Sequence, residues 1–183
     1  MDATPLPMLG LVLVKSRVFP DSRGSFMETW SERNLQGAGI DARFVQDNLS
    51  VSHLYALRGL HYQVSPRAQG KLVRVLRGEI FDVVVDLRRL SRTYKHPLAI
   101  ALSATTGDAL WIPAGFAHGF LALTDDALVQ YKVTDYWSPE HERTIRWNDP
   151  ALAIEWPLPA GARPLLSEKD STGQPLADAE PFP

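Results

Sequence analysis

Between residues 44 and 133 the chain never sustains a helical period, and this restricts its fold more than any other feature. It runs as short apolar or alternating segments: 44–50, 55–61, 71–77, 79–87, 97–102, 109–112, 119–123 and 127–133. Turn-forming residues divide them, among them Arg77-Gly78, Thr106-Gly107-Asp108, Pro113-Ala114-Gly115 and Thr124-Asp125-Asp126. Such residues supply positive φ or side-chain-closed turns, so each interruption reads as a reversal of direction. A series of eight or more short strands without intervening helices predicts an all-β antiparallel sandwich or barrel of the jelly-roll kind. No internal repeat of 20–50 residues is present, which argues against a solenoid or propeller.

The ends of the chain differ from this middle. Leu11 to Phe19 reads as a strand, closed by the turn Pro20-Asp21-Ser22-Arg23-Gly24. Phe26 and Glu28 follow, two residues apart and therefore on one side of an extended segment. Ser31 is a suitable N-cap for a short helix over 32–36, ended by Gly37 and Gly39. Six of the 14 prolines lie beyond Glu155, where apolar periodicity fades. That tail is expected to wrap the barrel or stay loose, since proline does not pair inside a sheet. At 183 residues and 45% hydrophobic content, one domain over 1–183 is expected, with a core of about 10–157 and a tail of 158–183.

Composition removes several classes of function. A net charge of −2 gives no footprint for duplex nucleic acid or an anionic membrane. No apolar run reaches the ~20 residues of a membrane span, and the N-terminus lacks the basic start and apolar core of a secretory signal. A cytoplasmic location is the expectation. With no cysteine, thiol catalysis, disulfides and Cys-ligated metals are excluded.

Candidate chemistry concentrates in Arg58-Gly59-Leu60-His61-Tyr62-Gln63 and in Lys71, which opens the next alternating segment. His61 can act as a base, and the cations Arg58 and Lys71 nearby favour its neutral, proton-accepting form. Pro113-Ala114-Gly115-Phe116-Ala117-His118 has the P-x-G-x-x-H spacing that resembles the second motif of the cupin superfamily, where the histidine often binds a metal. Metal-binding cupins also carry H-x-H and a glutamate; here His61-Tyr62-Gln63 stands there with no carboxylate soon after. An amide with one or two imidazoles beside a lysine is a poor divalent site, so no metal and no cofactor are expected. Tyr131 is either a good strand former or a proton donor facing a histidine base. Trp137 is either core or a stacking surface for a planar base. Arg23, Glu28, Gln46, Asp47, Asn48 and Lys169 are polar positions whose ordinary setting is a solvated turn. Asp170 could bond the far nitrogen of His61 and raise its basicity.

Several blocks, in order from about residue 10 to Asp170, together resemble the signature of the dTDP-4-dehydrorhamnose 3,5-epimerases. They are residues 21–28 (DSRGSFME), 44–48 (FVQDN), 57–63 (LRGLHYQ), 70–75 (GKLVRV), 82–88 (DVVVDLR), 110–120 (LWIPAGFAHGF) and Tyr131-Lys132. The resemblance implies a cupin-type jelly roll that epimerises dTDP-4-dehydro-6-deoxyglucose at C3 and C5 without a cofactor, on the way to dTDP-L-rhamnose. It implies His61 as base paired with Asp170, Tyr131 as acid, and Lys71 as the cation on the enolate oxygen. Arg58 and His118 would line the sugar pocket. Arg23, Phe26, Glu28, Gln46, Asp47, Asn48, Glu142 and Lys169 would hold the nucleotide and diphosphate, and Trp137 would stack on thymine where a tyrosine is usual. It also implies a homodimer in which the N-terminal part of one subunit completes its partner's site.

A 3-only or 5-only epimerase of another dTDP-deoxysugar pathway would carry the same base, cation and phenol, and two other classes compete. A metal-dependent cupin oxygenase or isomerase would carry stoichiometric metal and lose activity to chelators. A non-catalytic nucleotide-sugar binding module would hold the ligand without proton exchange.

Overall fold

Strand alternation decides which side chains meet, and two sheets packed face to face use it throughout. The computed structural model describes residues 1–183. In chain order its elements are β1 (Asp2–Pro5), β2 (Val12–Lys15), β3 (Val18–Asp21), β4 (Gly24–Met27), α1 (Glu32–Gly37), β5 (Gln46–Ser52), β6 (Leu57–Gln63), β7 (Lys71–Arg77) and β8 (Glu79–Asp86). There follow β9 (Pro97–Ser103), β10 (Ala109–Ile112), β11 (Phe116–Ala122), β12 (Ala127–Val133), β13 (Glu142–Thr144) and α2 (Glu168–Ser171). A six-stranded sheet has the order β1-β2-β10-β7-β12-β5, and a five-stranded sheet the order β13-β6-β11-β8-β9. Strands distant in sequence are neighbours in both sheets, as a jelly roll requires.

Inner faces are apolar toward β8, β9 and β10, where Val73, Val75, Ile80, Val84, Leu102, Leu110 and Ile112 form the main core. Along β7 and β12 the same face turns polar at one end, with Lys71 before Val73 and Tyr131 after Val129. The strands therefore carry a core and a site on one surface.

Most expected strands are present. β7, β10 and β12 have the expected limits, whereas β5 and β6 begin two residues later and β11 begins three residues earlier, at Phe116. The single strand expected over 11–19 is divided: β2 joins the large sheet, and β3 pairs with β4 as a separate hairpin. At the division Ser16 is buried and accepts from Arg74 Nη2 at 3.0 Å, while the same nitrogen donates to Thr29 O and Nη1 to Gly107 O. Arg74 thus fixes both ends of the hairpin's base. Ser31 caps α1 by accepting from Asn34 N, and Leu35 packs with Val14 and Leu72 on the outside of the six-stranded sheet. β1, β13 and α2 are too short to leave a periodic signal in the sequence.

The proline-rich tail is held rather than loose. From the tail Leu176 and Ala179, and from the chain ahead of it Ile145 and Leu152, cover Leu60, Tyr62, Val83, Val85 and Leu87 on the outer face of the five-stranded sheet. Burying each of the larger ones contributes roughly 1.5–3 kcal/mol before entropy. Trp156 stacks edge-on against Phe81 and Trp147, Phe182 against Tyr62, and the Glu180 N–H donates to the Tyr62 hydroxyl.

One irregularity positions the site. On β6, His61 pairs with His118 but Arg58 pairs with Phe120, so three residues of β6 span two of β11. In a regular strand residues 58 and 61 would face opposite sides; the bulge turns both inward. Gly59 has φ +128° there, and a methyl group on it would lie 2.5 Å from Gly119 Cα. Gly59→Ala is expected to lower the melting temperature by at least ~5 °C, because strain and clash together exceed ~2 kcal/mol. Calorimetry showing an unchanged melting temperature would contradict this account of the bulge.

Candidate active site

The two sheets part at the edge formed by β5, β12 and β7 on one side and β13, β6 and β11 on the other. The gap is a cavity of about 480 Å³, within the usual range for small-ligand sites. His61, Lys71, Tyr131, Arg58, His118, Gln46, Asn48, Trp137, Glu142, Lys169 and Asp170, all expected from the sequence, line it. Ser50, Gln69, Phe120 and Ser167 also line it and were not foreseen. Ser50 was recoverable, since Gln46, Asn48 and Ser50 alternate along β5.

The same alternation corrects the expectation for Asp47. It faces outward, accepting from Lys132 Nζ at 2.8 Å and Gln130 Nε2 at 3.0 Å, and does not reach the cavity. Arg23, Phe26 and Glu28 are also absent from this chain's cavity. Arg23 sits at the tip of the β3–β4 hairpin bonded to Asp21 at 2.7 Å, Phe26 is 69% exposed, and Glu28 accepts from Asn34 Nδ2 at 2.5 Å. A hairpin anchored outside the barrel has no path into its own pocket. Gln63, in the H-x-H position, donates its amide to Arg67 O and Tyr136 O and accepts from Ser138 N, so it organises a loop.

His61 Nε2 lies 2.6 Å from Asp170 Oδ1. Asp170 comes from α2, whose N-cap Ser167 accepts from Asp170 N at 3.1 Å and donates its hydroxyl to Asp170 Oδ2 at 2.6 Å. The Gly59 N–H donates to the other carboxylate oxygen at 3.1 Å. Burial pushes the Asp170 carboxyl up, but the bonds from His61, Ser167 and Gly59 outweigh it and hold the group below the usual carboxylate range. Burial lowers the His61 pKa; Asp170 opposes that, and Lys169 and Lys71 add to it, leaving the net shift downward. A neutral ring donating Nε2–H to an ionised Asp170 keeps its lone pair on Nδ1, the atom left to accept a proton.

Tyr131 stands on the opposite sheet. Burial raises its pKa despite the nearby Arg58 charge, so its hydroxyl is protonated at neutral pH and can donate. Arg58 is itself held by Ser52 Oγ and Val51 O, both at 3.0 Å. Lys71 Nζ reaches from β7 across the gap to the His61 carbonyl oxygen at 3.3 Å. Burial lowers its pKa from 10.5 to about 8, with Glu142 and Asp82 opposing the shift and Lys169 adding to it. Glu142 accepts from Lys169 Nζ at 2.9 Å; burial raises its pKa, but Lys169 outweighs this and the net shift is downward. At the rim, Trp137 is 59% exposed and its backbone N–H donates to Gln46 Oε1, while Gln46 Nε2 donates to Asn48 Oδ1.

Fold and cavity together define a cupin-type jelly roll whose pocket is equipped for proton transfer beside a stabilised anion. The family model described as dTDP-4-dehydrorhamnose 3,5-epimerase matches residues 5–178. A protein of that name from Pseudomonas aeruginosa is 53% identical over all of both chains. Among solved structures, the Bacillus anthracis enzyme of that name, with TDP and PPi bound, has TM-score 0.92 at 41% identity, covering 96% of this chain and 99% of its own. The dTDP-6-deoxy-D-glucose-3,5-epimerase of Legionella pneumophila, in complex with dTDP-4-keto-L-rhamnose, has TM-score 0.91 at 43% identity, covering 98% and 94%. The chain belongs to the dTDP-4-dehydrorhamnose 3,5-epimerase family, and its members are isomerases.

The electrostatics of Lys71 can be measured directly. Its ammonium is expected to titrate near pH 8 in side-chain 15N NMR of the folded protein. A midpoint above pH 10 would mean that the amine is solvated and not enclosed.

Proposed function

We propose that this chain inverts C3 and C5 of dTDP-4-dehydro-6-deoxy-D-glucose, giving dTDP-4-dehydro-L-rhamnose, by proton transfer alone. The observation that supports this most is that His61 and Tyr131 stand on facing sheets of one cavity, with Lys71 reaching between them. A C–H bond next to a ketone ionises only if the resulting enolate oxygen is stabilised, and an ammonium in a site of low dielectric does this strongly. His61 Nδ1 takes the proton from one face of the sugar ring, leaving an enolate on the C4 oxygen beside Lys71. The Tyr131 hydroxyl then protonates the same carbon from the other face, so the centre inverts. Solvent afterwards takes the proton from the imidazolium and returns one to the phenolate. C3 and C5 both flank the C4 ketone, so one acid–base pair serves each in turn.

The nucleotide end of the substrate would extend toward the rim, where Trp137 offers an aromatic face and Gln46, Asn48, Glu142 and Lys169 offer polar partners. Asp170 would keep His61 in the basic tautomer. The reaction needs neither electron transfer nor a carrier group, so no cofactor enters it. We further propose that residues 1–183 form one domain, that the enzyme works in the cytoplasm, and that it is a homodimer. In that dimer the exposed β3–β4 hairpin would place Arg23, Phe26 and Glu28 against the partner's cavity; Phe19 and Phe26 are 46% and 69% exposed on it. No helix is long and apolar enough to cross a membrane.

In deuterated water the wild-type protein is expected to place solvent deuterium at both C3 and C5 of dTDP-4-dehydro-6-deoxy-D-glucose, as read by NMR. Label at neither carbon would sink the proposal. His61→Asn should lower exchange at both carbons by about 10²–10⁴-fold, the usual worth of a general base. Tyr131→Phe should lower inversion about 10²-fold while exchange stays within about tenfold, because the base remains. Full inversion by the Phe variant would remove Tyr131 from the mechanism.

A further inference from the structure

Asp82 lies on β8 between Ile80 and Val84 on the inner face, and all three are completely buried. Its Cα partners are Phe120 on β11 and Ile100 on β9, so it stands behind the cavity and not in its wall. Asp82 Oδ2 is 2.8 Å from His118 Nε2. The other oxygen, Oδ1, is buried with no hydrogen-bond partner. A buried carboxylate with an idle oxygen destabilises a fold, and a neutral side chain of the same shape would fill the place without that penalty. Packing therefore does not explain a charge here.

The neighbours of that charge do. His118 is the direct cross-strand partner of His61, so two imidazoles stand side by side on adjacent strands, each with a carboxylate on Nε2. A carboxylate can only accept at that nitrogen, which leaves His118 Nδ1 for the cavity. The other titratable groups lining the cavity are Arg58, His61, Lys71, Tyr131, Glu142, Lys169 and Asp170.

We propose that Asp82 is the positioning residue for the anion-stabilising side of the cavity, fixing His118 with Nε2–H turned back and Nδ1 toward the substrate. The assignment rests on the epimerase chemistry proposed above, in which an enolate oxygen forms beside Lys71. It gives the cavity two carboxylate-backed imidazoles with separate tasks. Asp170 backs the ring that takes the proton, and Asp82 backs the ring that meets the resulting negative charge.

The isosteric variant Asp82→Asn separates this from a structural role, because stability and turnover should move in different directions. Its melting temperature is expected to equal or exceed that of the wild type, since a buried charge is removed. kcat should fall by at least ~30-fold, as when the partner that orients a reacting imidazole is neutralised. KM should stay within about threefold, because Asp82 touches no part of the cavity. A folded variant with kcat within about threefold of wild type would overturn the proposal. So would a loss of activity that merely follows a lowered melting temperature.

If the variant does not fold, ring 15N NMR of wild-type His118 decides. A proton on Nε2 is expected, and a lone pair there overturns the assignment whether or not the enzyme turns over. A wild-type protein that fails to epimerise would count against the reaction proposed above, and the ring measurement would still test Asp82.

Discussion

The bond between His61 and Asp170 is the interaction on which the rest of the site depends. It joins a barrel strand to the C-terminal tail across 109 residues at 2.6 Å, and it exists only because three separate features converge. The bulge at Gly59 turns His61 inward and aims its own N–H at Asp170. Ser167 caps α2 and bonds both the backbone and the carboxylate of Asp170. Ile145, Leu152 and Leu176 hold the tail against the outer face of the five-stranded sheet. Loosening any one of them would leave an imidazole without its orienting partner.

The jelly roll supplies the second requirement, which is two sides. Inversion at carbon needs a base and an acid that approach one atom from opposite directions, and facing sheets provide that separation. The price is a buried cation. Lys71 has its pKa lowered from 10.5 to about 8, so at neutral pH the folded state holds a proton it binds less tightly than the unfolded chain. That costs roughly 3 kcal/mol below pH 8 and is relieved as pH rises from about 8 toward 10.5. Stability given up at such a place is typical of a site built for developing negative charge.

Much of this is legible in the sequence. Turn residues marked the strands, and the P-x-G-x-x-H run and the Arg58-to-Gln63 stretch marked the cavity. What escaped did so for physical reasons. Alternation alone puts residues 58 and 61 on opposite faces; only the close approach of Gly59 and Gly119 brings them together, and nothing local in the sequence announces it. Asp170 lies in a proline-rich tail with no period, so the family pattern was the one guide to it. Asp47 shares a polar block with Gln46 and Asn48, but strict alternation on β5 sends it outward. Asp82 opens the run Asp82-Val83-Val84-Val85-Asp86, which reads as an ordinary buried strand, and its role becomes visible only through the unpaired oxygen behind His118.

The central claim is geometric: a 4-keto sugar ring lies between an imidazole on one sheet and a phenol on the other, with an ammonium at its carbonyl oxygen. A crystal structure of the His61→Asn variant with dTDP-4-dehydro-6-deoxy-D-glucose trapped in the cavity tests it most directly. The C4 oxygen is expected within ~3.2 Å of Lys71 Nζ, with residue 61 and Tyr131 on opposite faces of the ring at C3 and C5. A sugar bound with residue 61 and Tyr131 on the same face, or with its C4 oxygen away from Lys71, would contradict it.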